Sequence, residues 1–348
     1  MTSSNTSHAL APQAIPPDAQ LLQMVSGAFV SAAIYTAAKL GIADLLRDGP
    51  KSTLALAGET ATDETSLYRL LRSLASVGAF TEVGPRIFSN TPMTEALRSD
   101  IPRSARDLVI WMGEPEHWKV YGHLLHSVRT GNPAWDHVHG EPVFPYLFDT
   151  NKELGDIFNR AMTSVSHEAI GPVLEAYDFS NARIIADIGG GHGHVLAAVL
   201  AANPDAKGVL FDLAVVLAGA PKMMDAYGVA DRVDLVAGDF FSEIPVTADL
   251  YILKFIIHDW YDDKNRTILQ NIRRQMPADG KVLIIETVVP EGNEPHFSKL
   301  IDLEMLMAPG GLERTSAEFE KLLADCGFRM TRIIPTKGMM SIVQAVKA

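Results

Sequence analysis

Asp212, Asp239, His258 and Glu286 each stand at or just beyond the end of a short apolar run in a chain of 348 residues. A carboxylate offers two acceptor oxygens, and an imidazole with an ordinary pKa of about 6.5 takes a proton near neutrality. Gathered on one edge, such groups bind a hydroxylated ligand and move a proton. A solvated edge explains any one of them but explains the set less well. The stretch Ile184-Ile-Ala-Asp-Ile-Gly-Gly-Gly-His-Gly-His194 supplies a second element of chemistry, an apolar run carrying Asp187 and then a turn of Gly189, Gly190, Gly191 and Gly193. Glycines permit positive φ and close approach of a ligand to the main chain. The apolar helical stretch over 195–202 presents free N–H groups at its start.

Two cofactor classes use a turn of this kind. A dinucleotide site requires G-x-G-x-x-G, but here Gly189, Gly191 and Gly193 give G-x-G-x-G, and His194 occupies the third dinucleotide position. The acid within the strand, Asp187, also fits a nicotinamide site poorly. Asp-x-Gly-x-Gly-x-Gly instead resembles motif I of class I S-adenosylmethionine methyltransferases, where the turn packs on the aminoacyl part of the cofactor.

The elements that position these groups follow from periodicity. From residue 181 onward short apolar strands are expected at 184–188, 208–212, 232–237, 248–253 and 281–285, alternating with helical stretches. That alternation predicts a parallel, doubly wound α/β sheet, whose ligands bind outside the carboxyl ends of the strands. Ahead of it, 19–46 reads as one long helix, apolar nearly all round and ended by Gly49-Pro50. Two shorter helices follow at 52–57 and 63–77, the second with Leu67, Leu70, Leu71 and Leu74 on one face and Asp63 as N-cap. A hairpin at 79–89 closes the segment.

Helix, helix, hairpin is a winged-helix pattern, but residues 20–100 hold seven Lys/Arg against eight Asp/Glu, with no basic stripe for phosphate. An interaction or dimerisation domain is the better reading than a DNA-binding one, because the long apolar helix needs a cover that a small domain lacks. The expected division is a tail at 1–18, a winged-helix-like dimerisation domain at 19–103, linking helices rich in large side chains at 104–180, and the α/β domain at 181–348. Net charge of -12 argues against nucleic acid or an anionic membrane as the main partner. The single cysteine, Cys326, excludes an intramolecular disulfide and suits a reducing compartment. The first residues carry no signal-peptide pattern, and Lys39 and Asp44 interrupt the apolar helix, so a cytoplasmic protein without a membrane span is expected.

The quoted motifs, with Leu67-Tyr-Arg-Leu-Leu-Arg72, Phe211-Asp-Leu213, Gly238-Asp-Phe-Phe241, Lys254-Phe-Ile-Ile-His-Asp-Trp260 and Gly310-Gly-Leu-Glu-Arg-Thr315, resemble small-molecule O-methyltransferases. These are the plant caffeic acid and flavonoid enzymes and the bacterial antibiotic-tailoring enzymes. The resemblance spans nearly the whole chain. It implies a Rossmann-like methyltransferase domain preceded by an all-α, winged-helix dimerisation domain, a homodimer, S-adenosylmethionine as cofactor with S-adenosylhomocysteine as product, no metal, and a small hydroxylated acceptor.

Residue by residue, the resemblance places Gly189 and Gly191 on the methionine portion, Asp212 on the ribose hydroxyls, Asp239 on the adenine amine and Phe240 on the adenine face. Lys254 is expected at the adenine end and Ser166 at the cofactor from the linking helices. His258 resembles the catalytic base, with Glu286 and Glu313 holding its ring and Glu286 bonding its other nitrogen. Phe158, Met162, Asp259 and Met305 are expected to line the acceptor pocket. The chain departs from the pattern at His192, Ala214 and Glu304, the last of which puts a carboxylate beside that pocket. The alternatives weighed are an enzyme of the same fold using the cofactor site for hydroxylation or pericyclic chemistry, and a winged-helix regulator with an α/β ligand sensor.

Overall fold

Residues 15–348 are described by a computed structural model, so most of the expected tail, 1–14, lies outside the described residues. The chain divides between Arg98 and Ser99 into two compact units, where the sequence placed a boundary after 103. The expected linking and α/β segments belong to one unit.

In the first unit the opening helix runs Pro17–Lys39 and not to residue 46. Gly41 takes φ 67, and a short second helix, Ile42–Leu45, starts in a new direction that buries Ile42 and Leu46. The turn at 40–41 thus wins over continuous periodicity. Helix Thr53–Thr60 follows, then Glu64–Ser76, whose first turn is capped by Asp63 accepting from Ser66 N–H at 2.8 Å. Strands β1 (Lys51–Ser52), β2 (Phe80–Gly84) and β3 (Ile87–Asn90) form an antiparallel sheet in the order β1-β3-β2. Leu67, Leu71 and Leu74 meet Leu56, Phe80 and Phe88 in its core.

The second unit is built on a seven-stranded sheet of β4 (Ile184–Ile188), β5 (Lys207–Asp212), β6 (Val233–Ala237), β7 (Leu250–Lys254), β8 (Lys281–Glu286), β9 (Phe328–Pro335) and β10 (Ser341–Lys347), ordered β6-β5-β4-β7-β8-β10-β9. The five expected strands are present and parallel to one another. The sheet as a whole is not all-parallel, because β10 pairs antiparallel with both β8 and β9. A hairpin needs no crossover helix, so the α/β alternation that revealed the first five strands carries no trace of it.

Strand alternation makes the layers. Leu250 and Ile252 of β7 face one core with the helices Lys152–Ala176 and His194–Ala202, while Tyr251 and Leu253 face the other with Asp262–Gln275 and Ser316–Asp325. The chain runs outward from β4 through β5 to β6, then returns to start β7 on β4's other side. The crevice at that reversal is where such sheets hold ligands.

Candidate active site

The turn after β4 is fastened from beneath. Gly189 N–H donates to Phe211 O at 2.8 Å, tying the turn to β5. A Cβ on Gly190 would lie 2.6 Å from Asp187 Cγ, so glycine is required where the turn crosses this buried acid. Burial, partly offset by Lys254, raises the Asp187 carboxyl to about 7, and its Oδ2 has no partner among the described residues. Nothing stands within 4 Å of where a Gly191 Cβ would be, so that face of the turn is open. His192 turns away from the cradle, its ring filling the space over Gly219 and its Nδ1 3.4 Å from Thr163 Oγ1. The departure at this position is therefore absorbed by packing.

At the end of β5, Asp212 accepts from Gly191 N–H at 2.8 Å and from Leu213 N–H at 2.7 Å. Both oxygens are fixed at the mouth of the turn, and each keeps a lone pair for a diol. Burial raises this carboxyl, against those two N–H groups. Beyond β6, Asp239 is exposed and fixed by Phe241 N–H at 2.8 Å, while the Phe240 ring sits beside Gly189 and makes an edge contact with Trp260 at 6.2 Å. The glycine turn, Asp212, and Asp239 with Phe240 thus line the carboxyl ends of β4, β5 and β6, an arrangement whose donors and acceptors fit an adenosyl amino acid.

Lys254 stands apart from the Asp239 strand end. It ends β7, which β4 and β5 separate from β6, and its electrostatic neighbours are Asp187, Asp259 and Glu286. Burial lowers it to about 8, those acids opposing. Those neighbours place it in the crevice beside His258, at the end of the strand adjoining the glycine turn. Ser166, buried on the Lys152–Ala176 helix, donates its hydroxyl to Met162 O at 2.8 Å and offers the site only an acceptor.

His258 is held by a different carboxylate geometry from the one expected. His258 Nδ1 lies 2.7 Å from Glu313 Oε1. A carboxylate only accepts, so Nδ1 carries the proton and Nε2 is left for chemistry, with Asp259 Oδ1 at 3.4 Å. Glu313 is itself fixed by the Thr287 hydroxyl and by its own N–H on Asp302 Oδ1. Glu286 does not touch the ring. Its Oε1 accepts the main-chain N–H groups of Ile256, Ile257 and His258 at 3.1, 2.7 and 3.1 Å. A turn of successive N–H groups makes an anion nest, so this acid holds the backbone that carries His258.

Burial works against the His258 imidazolium, but Asp259, Glu313 and Glu286 outweigh it and raise the group to about 9. Phe255, at φ 56, is stacked on His258 with centroids 4.9 Å apart. Arg314 and Asn265 have roles that their positions in the sequence do not disclose. Arg314, 1% exposed, donates to Ile257 O and Trp260 O at 3.0 Å each, and Asn265 to the same two carbonyls at 2.8 and 2.7 Å. Arg314 stood within a quoted motif, but only the fold shows what it fastens.

Of the expected acceptor residues, Phe158 falls on a continuous run of rings. Trp260 contacts Phe144 at 5.3 Å, Phe144 contacts Phe158 at 6.3 Å, Phe158 contacts Trp111 at 5.1 Å, and Trp111 contacts His117 at 4.4 Å. Met162 lies one helical turn from Phe158. Met305 is buried at the end of helix Ser298–Met307, its carbonyl accepting from Gly310 and Gly311 in the turn that leads to Glu313. A Cβ on Gly311 would lie 2.0 Å from His258 O, so this turn presses directly on the His258 backbone.

Comparison with known proteins gives a consistent picture. Residues 22–100 match the O-methyltransferase dimerisation domain and residues 121–329 the O-methyltransferase domain. The chain is 44% identical to phenazine O-methyltransferase PhzM of Lysobacter antibioticus, covering 95% of this chain and 97% of that protein. It is 38% identical to the mitomycin biosynthesis 6-O-methyltransferase of Streptomyces lavendulae, covering 93% of each. The crystal structure of LaPhzM superimposes with a TM-score of 0.92 at 44% identity over 96% of this chain and 100% of that one. Aclacinomycin 10-hydroxylase RdmB of Streptomyces purpurascens is also similar, at 33% identity over 89% of this chain and 84% of that protein.

Proposed function

The chain belongs to the O-methyltransferase family with an N-terminal dimerisation domain and is an S-adenosylmethionine-dependent O-methyltransferase; we propose that its acceptor is a phenolic hydroxyl on a small, flat aromatic or polyketide-like metabolite, with His258 as general base. The observation that carries this reading is the His258 ring, held at Nδ1 by Glu313 with Nε2 left for a proton, at the crevice beside the glycine cradle.

S-adenosylmethionine, when bound, supplies a methyl group already activated on a sulfonium. Gly189 and Gly191 would cradle its methionine part, Asp212 its ribose diol, and Asp239 with Phe240 its adenine, with Ser166 and Lys254 flanking. The chain's own work is then alignment and deprotonation. Holding two reactants in line supplies up to roughly 7–11 kcal/mol of the barrier. A phenol ionises near pH 10, judged by tyrosine, so little phenolate exists at neutrality and a base is needed. His258 Nε2 takes the proton, and Glu313 and Asp259 stabilise the imidazolium formed. Phe158, Met162, Asp259 and Met305 orient the acceptor ring, in keeping with the relatives named for phenazine and mitomycin methylation.

The test is transfer of labelled methyl from S-adenosylmethionine to a panel of hydroxylated two- and three-ring aromatics, read by mass spectrometry. A methyl ether on at least one member is expected. Tight cofactor binding with no methylated product on any member would move the chain towards the non-methylating chemistry that the hydroxylase relative represents.

A further inference from the structure

Glu304 is a charged group without an obvious task. It is 8% exposed, and its Oε2 is buried with no partner among the described residues. Its Oε1 lies 2.6 Å from His117 Nε2, and His117 Nδ1 lies 3.0 Å from Trp111 O. A carboxylate and a carbonyl both only accept, so both ring nitrogens carry protons and the pair is an imidazolium–carboxylate. Burial disfavours that charge, but Glu304 outweighs it and raises His117 above the ordinary histidine range. The pair is therefore balanced in charge yet incomplete in hydrogen bonding, and a buried acceptor left unmade is costly.

Its position says what could complete it. Glu304 precedes Met305, whose carbonyl anchors the turn that presses on His258, and His117 ends the wall of rings that begins at Trp260 beside Asp259. His258 and the unpaired, buried Glu304 oxygen stand at opposite ends of that run of rings. Tyr121 stacks on His117 with ring centroids 5.2 Å apart; its hydroxyl lies 3.8 Å from Met112 Sδ and also beside Glu304, and burial and that carboxylate raise the phenol above its usual range, while Oε2 keeps no hydrogen-bond partner among the described residues.

We propose that Glu304 Oε2, held by His117, anchors the acceptor by taking a neutral O–H or N–H on the edge of the aromatic system opposite the hydroxyl that His258 deprotonates. The inference rests on the acceptor class proposed above and adds a specificity residue to it. A neutral donor is the fitting partner, because His117 already balances the carboxylate's charge. An acceptor lacking the donor leaves Oε2 unpaired under the bound ring, and sites built to bond a substrate O–H or N–H reject such analogues strongly.

The experiment compares matched acceptors, 2-naphthol with 2,6-dihydroxynaphthalene and 2-hydroxyphenazine with 2,7-dihydroxyphenazine, on wild type, Glu304→Gln and Glu304→Met. Turnover is measured alongside acceptor binding to the S-adenosylhomocysteine complex. Wild type should prefer the dihydroxy member by about 10- to 100-fold in kcat/KM, the range expected for a hydrogen bond to a charged group, beyond the twofold from equivalent hydroxyls. The preference should lie mainly in KM. Glu304→Met should remove it while S-adenosylhomocysteine affinity is kept, and Glu304→Gln, which preserves shape and folding, should reduce it. A purely structural Glu304 would lower activity on both members alike. Equal wild-type kcat/KM on both members, or a preference unchanged in Glu304→Gln, overturns the anchor alone. Binding and methylation of neither member overturns the acceptor class as well.

Discussion

At the scale of single residues, the chemistry turns on how much charge surrounds His258. Its elevation to about 9 means that the free enzyme holds an imidazolium at neutral pH, a form that cannot accept a proton. Activity limited by the free enzyme's base should therefore rise from pH 7 towards 9 and level above it. A bound sulfonium cation beside the ring opposes the imidazolium, so His258 should titrate lower in the S-adenosylmethionine complex than in the S-adenosylhomocysteine complex, which lacks that charge. NMR titration of the His258 ring in the two complexes checks this; identical midpoints would place the ring out of the sulfonium's reach. His258→Ala should keep cofactor affinity and lose about 10²- to 10⁴-fold in turnover, the loss shrinking for more acidic phenols and at high pH. The two glutamates should separate. Glu313→Gln removes an adjacent anion and should lower the titration midpoint with little loss of stability. Glu286→Leu strips the three N–H groups of their acceptor and should cost at least about 2 kcal/mol in unfolding experiments, since buried donors left unmade cost roughly 1–3 kcal/mol each. The residue types around His258 were legible in the sequence, but their division of labour was not. Glu286 ends a strand and Glu313 follows a loop, and only the fold shows that the first meets backbone and the second meets the ring. Glu304 was legible as a departure, while its partner His117, 187 positions away, was not.

At the scale of elements, the site is a set of strand ends with one turn pressed against another. β4, β5 and β7 were visible as apolar runs ending in polar residues because buried parallel strands leave that signature. The β9–β10 hairpin and the break at Gly41 were not, since the first lacks a crossover helix and the second interrupts a sequence that stays apolar on both sides. Trp111, Phe144 and Trp260 read as large side chains of a linking segment and a motif, and their run into a wall needs the packing of several short helices. The turn at Gly310-Gly311 shows most directly how elements set chemistry. A methyl on Gly311 would stand 2.0 Å from His258 O and 2.4 Å from Asp259 C, both main-chain atoms that cannot rotate aside. Gly311→Ala should therefore shift the 257–260 turn. The expected result is a fall in turnover of the same order as loss of the base, with S-adenosylhomocysteine affinity changed by less than tenfold, because the cradle lies on other strands. Calorimetry with the product nucleoside beside a methyl-transfer assay separates the two effects; a wild-type rate in this variant would show that the turn yields without disturbing the base.

At the scale of the molecule, the surface left bare by the first unit is the feature that calls for a partner. Leu21, Leu22, Met24, Val25 and Phe29 on helix Pro17–Lys39 are 65%, 71%, 77%, 72% and 79% exposed. By length and composition alone this helix would suffice to cross a membrane, at a mean hydropathy of 1.5. The O-methyltransferase dimerisation domain begins at residue 22 and takes in most of the helix, which favours a second copy of the chain as its cover. The sequence showed the helix and its need for a cover; it does not show which face meets the partner, because the helix is apolar nearly all round. A cluster this apolar left in water would be an association site in any case, so the question is whether association stops at two. Closed pairing through one self-complementary surface does stop, with the same patch used by both copies. Light scattering at micromolar concentration should report about twice the 37.8 kDa chain mass, without detergent and without larger species. Val25→Asp with Phe29→Asp, placing charges in the middle of the bare stretch, should shift the equilibrium towards monomer and lower the melting temperature, since an obligate pair is stabilised by its own concentration. Saturating S-adenosylhomocysteine, at about a hundred times its dissociation constant, should stabilise the cofactor unit by about 2.7 kcal/mol in wild type and variant alike. A double variant that remains dimeric and melts as wild type would show that the helix is covered by something other than its counterpart.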